Sequence, residues 1–143
     1  MLKKFLNLYY PPLINIYTIW ILYMMFFAYY RVATGDFYFI NTVPFESIRF
    51  LIRYSGLYSL EIYKNILGNI ILFMPYGFLG ILYPKLNSYL YLSVVFIVVI
   101  NILEFSQYYF NRGYAELDDV MLNTMGMSLG FIIYKKWFII TDK

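Results

Sequence analysis

The chain has no cysteine and no histidine among its 143 residues. That removes disulfides, thiolate nucleophiles, zinc and haem ligation by these side chains, and imidazole acid–base chemistry together. Charge is scarce as well: Asp, Glu, Lys and Arg make up 13% of the residues, against roughly 25% in an ordinary globular domain. No phosphate-cradling glycine loop, HExxH pattern or nucleophile–base pair is visible, so an enzymatic reading lacks a mechanism. The net charge of +3 rests on scattered Lys and Arg without a basic stripe. It argues for orientation against anionic lipid and against nucleic acid as a partner.

What is abundant is apolar surface. Hydrophobic residues make up 62% of the chain and aromatic residues 24%, where a globular domain has roughly 45–50% apolar residues. The pattern predicts one all-α integral membrane domain over residues 1–143, a bundle of four transmembrane helices. The spans fall at about 13–32, 65–84, 88–109 and 117–137, with a short interfacial amphipathic helix at about 44–54 between the first two. No cofactor is expected, and the oligomeric state is left open.

Taken in order, an uncharged run from Leu13 to Tyr30 follows Pro11 and Pro12. A secretory signal peptide, with Ala33 and Gly35 near a cleavage point, is the rival reading. An uncleaved anchor is preferred, because the run exceeds a usual signal core and carries Trp20 and many Tyr and Phe suited to a membrane interface. In the long connection, Phe45, Ile48, Leu51 and Ile52 recur at helical spacing opposite Glu46, Arg49 and Arg53. This fits an interfacial helix or a lid packed over the bundle. Pro75 inside the second span predicts a kink, with Gly77 and Gly80 allowing close helix approach. Asn69 beside it is either an interhelical hydrogen bond or part of a site.

The third span is apolar until Asn101, Glu104 and Tyr108, which spacing places on one face. In the fourth, Asp119, Asn123, Gly126 and Gly130 share a face, and Gly126 and Gly130 form a GxxxG pattern that should meet another helix. The short turn between these spans makes them antiparallel neighbours, bringing Glu104 beside Asn123 and the Asp pair near Arg112. Asp118 and Asp119 stand where acids cap the first turn of a helix. The candidate polar site is therefore Asn69, Glu104, Gln107, Arg112, Asp118, Asp119 and Asn123, since ionisable groups at membrane depth are costly. Read as architecture, it is a salt-bridge cluster. Read as a ligand site, Arg112 suits phosphate or carboxylate, and the acids and amides suit sugar hydroxyls, an amine or a hard cation. With the N-terminus cytoplasmic, Lys3, Lys4, Lys85, Lys135, Lys136 and Lys143 lie inside, both termini are cytoplasmic, and the polar residues gather at the outer leaflet.

The motifs also carry a resemblance. N-T-V-P-F at Asn41–Phe45, N-I-I-L-F-M-P-Y-G-F at Asn69–Phe78, E-F-S-Q at Glu104–Gln107 and A-E-L-D-D-V-M-L-N-T-M-G at Ala115–Gly126 occur in the order that resembles the VanZ-like family of small bacterial membrane proteins. Glu116 departs from it, standing where an Asp is usual. The resemblance implies a bacterial cell-envelope role linked to teicoplanin and glycopeptide resistance, with no assigned reaction. Implied partners are a membrane lipid, a cell-wall precursor or a glycopeptide antibiotic. A metal-dependent enzyme acting on a lipid-linked phosphate or sugar, and a small transporter, are the alternatives.

Overall fold

The computed structural model describes residues 2–28, 40–56 and 59–141. Ala33, Gly35 and the end of the expected first span lie outside the described residues. The described chain is all-α apart from one two-residue parallel bridge, Ile40–Asn41 (β1) with Ala115–Glu116 (β2). Its helices are α1 (Leu2–Phe26), α2 (Glu46–Ser55), α3 (Leu60–Phe73), α4 (Tyr89–Tyr109) and α5 (Leu117–Thr141), with 3₁₀ turns at Met74–Ile81 and Pro84–Asn87. By length and composition, two segments among the described residues could cross a membrane, Leu60–Ile81 and Tyr89–Tyr109. α1 and α5 are as long but less apolar, because Tyr, Asn and Lys interrupt α1 while acids open α5 and lysines lie towards its end.

Two boundaries differ from the sequence expectation. α1 begins well before Pro11 and Pro12 and runs straight through both. The prolines deprive the Asn7 and Leu8 carbonyls of helical donors, and both residues are exposed. The second difference lies at Pro75, where α3 stops being an α-helix. Pro75 has no N–H to continue the ladder, so the chain tightens into 3₁₀ geometry from Met74, whose N–H reaches Ile71 O. Two phenols of α1 supply donors to carbonyls at this junction. Tyr17 Oη donates to Leu72 O and Tyr10 Oη to Pro75 O, each at 2.8 Å.

α5 lies against α3 and the 3₁₀ segment at backbone contact. A side-chain carbon at Gly126 would overlap the Ile70 carbonyl, one at Gly130 the Met74 carbonyl, and one at Gly77 the α5 backbone at Gly130 and Phe131. The pairs Ile70–Gly126 and Met74–Gly130 advance together, so α3 and α5 run parallel. α4, returning between them in sequence, is antiparallel to α5. Its buried face is Leu92, Phe96, Ile100, Glu104 and Gln107, which joins Met127, Phe131 and Tyr134 of α5 and Phe73 in the core. Asn101 falls outside that face, in contrast to the expected grouping with Glu104. It is exposed and folds its amide back onto Ile97 O, satisfying itself on its own helix.

Candidate functional site

The polar residues gather where α5 begins, but they do not form one cluster. Asp118 and Asp119 leave the first turn of α5 in different directions. Asp118, 2% exposed, accepts hydrogen bonds from the backbone N–H groups of Phe45, Ser47 and Ile48, at 2.5, 3.1 and 3.3 Å. It is a capping acid, as first-turn position leads one to expect, yet the helix it caps is α2 and not its own. α2 has no side-chain cap from its own N-cap residue, Phe45. A distant carboxylate fills that role, satisfying free amides and facing the positive end of the helix dipole.

Around this cap the rest of the motif Asn41–Phe45 is folded tightly. Asn41 Oδ1 accepts from Val43 N at 3.0 Å and its amide donates to Ser47 Oγ at 3.2 Å. β1 and β2 pair beside it, aligning Asn41 with Glu116. Burial pushes the Glu116 carboxyl above its ordinary value, the Asp118 charge adds to the rise, and a hydrogen bond with Ser47 opposes it. On α2 the inward side is Ser47, Ile48, Leu51 and Ile52, while Phe45, Glu46, Arg49, Phe50, Arg53 and Tyr54 are exposed. Phe45 thus leaves the apolar stripe that its spacing suggests, because as the N-cap residue it adopts φ 63°, off the helical path.

Asp119 faces α3. Its Oδ1 accepts from Asn69 Nδ2 at 2.8 Å, an interhelical hydrogen bond between α3 and α5. Asn123, one turn further along α5, is 2% exposed, and its Oδ1 has no hydrogen-bond partner. Glu104, 4% exposed, sits on the buried face of α4, which packs against α5. Gln107 belongs elsewhere: its Nε2 donates to Met25 O at 2.7 Å and ties the end of α4 to the end of α1.

Arg112 does not join the acids, against the expectation from the short turn. Its backbone N–H closes the turn on Gln107 O at 2.7 Å, beside Asn111 at φ 54°. The two Asp carboxylates are engaged by α2 amides and by Asn69, and among the described residues the Arg112 side chain makes no ion pair or hydrogen bond. Three contributors escaped the sequence reading: Ser47, and the phenols of Tyr10 and Tyr17. The phenols carried a usable signal, since residues seven apart share a helix face and a proline-broken helix needs donors. Ser47 carried none.

These features define a class: an all-α protein that has, among the described residues, two helical segments long and apolar enough for a membrane, and that buries Asp118 and Asn123 in the first turns of its last helix. The particular family follows from comparison. The sequence profile of the VanZ/LLP1 family matches residues 14–140, nearly the whole chain, and the chain belongs to that family. Neither a curated protein nor a solved structure matches it significantly.

Proposed function

We propose that this VanZ/LLP1 protein is a multi-pass protein of the bacterial cytoplasmic membrane, with four spans, both termini cytoplasmic and α2 lying in the outer interface. In this reading it binds an envelope lipid or a glycopeptide antibiotic between α3, α4 and α5, and lowers teicoplanin susceptibility without catalysis. The observation that carries the site is Asn123: an amide oxygen almost wholly buried and unpartnered, one turn from Asp119, on the helix that packs against α4, where Glu104 is buried. A buried acceptor left unmatched costs about 1–3 kcal/mol, which is more readily tolerated where a ligand supplies the donor. Among the described residues no group of three or more acidic side chains is arranged to hold a metal ion.

The test is teicoplanin susceptibility of cells carrying Glu104→Gln or Asn123→Ala, with membrane abundance measured in parallel. Loss of the effect at unchanged abundance is expected. Lowered abundance instead assigns both residues to folding, since breaking a buried polar network costs about 3–5 kcal/mol. Full abundance with full effect removes the site.

A further inference from the structure

A crevice of about 170 Å³ lies between α1 and α4, apart from the polar residues at the start of α5. Phe73 and Tyr76 lie at its base, and Thr18, Ile21 and Leu22 of α1 line one wall. The opposite wall is a stripe of α4 from Leu92 to Leu103, at steps of three and four residues. At 1.5 Å of rise per residue that stripe is about 16 Å long. The lining presents apolar atoms only. Its hydroxyls are turned to one another, Tyr76 donating to Thr18 Oγ1 at 3.1 Å and Thr18 to Ile14 O at 2.8 Å. An apolar cavity of about 150 Å³ stays dry and accepts hydrocarbon.

Shape narrows the occupant. The crevice is long and narrow, runs with the helices, and opens sideways: Val99 on its wall is 49% exposed and is flanked along α4 by the exposed Val98 and Ile102. One turn beyond Leu22 and Leu103, the Gln107–Met25 hydrogen bond joins the two walls and marks its end. A ligand therefore enters from the side, which for a membrane-spanning bundle is the hydrocarbon. We propose that the crevice holds one acyl chain of a bilayer phospholipid, laid along α4 over Phe73 and Tyr76. The proposal rests on the membrane-spanning reading above.

The test reconstitutes the full chain in vesicles of phosphatidylethanolamine and phosphatidylglycerol containing a phosphatidylglycerol with a mid-chain diazirine. After irradiation, adducts are mapped by mass spectrometry. Crevice residues Leu22, Val95 and Val99 are expected to be labelled well above Leu90 and Ile102, which are exposed outside it. Val99→Trp and Leu22→Trp each fill the space. Displacing two buried methylenes is enough to reduce crevice labelling about tenfold, with Leu90 labelling unchanged and the melting temperature retained in at least one variant. Equal labelling of crevice and exposed residues overturns the proposal. So do crevice adducts that survive both Trp variants. No adducts on any helix overturn the membrane reading with it. Asn123→Ala separates the two sites: crevice labelling is expected to persist whatever happens to the teicoplanin effect.

Discussion

Phe45 holds a backbone conformation that L-residues other than Gly, Asn and Asp seldom adopt, at a cost of about 1–2 kcal/mol. Such a geometry persists where the surroundings over-determine it, and here the determinant is the Asp118 carboxylate drawing the Phe45, Ser47 and Ile48 amides together. Asp118→Ala leaves those three donors unmatched, and α2 is expected to loosen. Limited trypsin digestion checks this, with faster cleavage after the exposed Arg49 and Arg53 while α3, α4 and α5 stay protected. Glu116 makes the opposite contribution. Its folded-state carboxyl titrates above the ordinary 4.5, so the stability linked to it is full below that value and is lost as pH rises through the folded-state value. Glu116→Gln should flatten the fall in detergent melting temperature between acid and neutral pH, and at neutral pH it should melt no lower than the parent. A variant that melts markedly lower at neutral pH would show that the charged carboxylate is needed.

At the scale of elements, the contact between α5 and α3 separates one glycine from another. A methyl group at Gly126 meets the Ile70 carbonyl, which belongs to a helix backbone and cannot swing aside, whereas one at Gly68 meets nothing within 4 Å. Gly126→Ala is expected to lower the melting temperature in detergent, by more than the usual overpacking cost of about 1–3 kcal/mol would give if helix backbones cannot shift. Gly68→Ala should leave it unchanged or raise it, since Ala stabilises a helix interior by about 1 kcal/mol over Gly. A Gly126→Ala protein as stable as the parent would mean that the helices separate at little cost. The spacing of Gly126 and Gly130 made this helix face legible in the sequence, and Pro75 made the break in α3 legible. The length of the 3₁₀ segment after it, Met74–Ile81, is not legible, because a proline removes one donor without fixing how far the altered geometry runs.

For the whole molecule, what periodicity reports is helices and their apolar faces, and these are largely legible: the amphipathic α2, the apolar α3 and α4 and the small face of α5, with Asn101 and Phe45 as the exceptions. Depth and partner choice are set by tertiary contacts, and there the reading diverged. Asp118 and Asp119 are neighbours in sequence, yet 100° per residue around a helix sends one to α2 and the other to α3. Gln107 shares the buried face of α4 with Glu104 and reaches α1. Arg112 has an acid-rich surrounding in sequence and no acid partner among the described residues. Asn123 is buried on the face it shares with Gly126 and Gly130, as its spacing predicts.

The bond between Phe45 and Asp118 joins residues 73 apart, and that separation sets an order of events. A chain leaving the ribosome at about 5–20 residues per second emits the capping acid about 4–15 s after the helix it caps. For that interval α2 has neither its cap nor the strand that pairs with β1, while α3 and α4 are already complete. The α2 segment is thus made early and fastened late, by the first turn of α5. The α2 cap and the β1–β2 pair can form only then, and a chain cut short before Ala115 has neither.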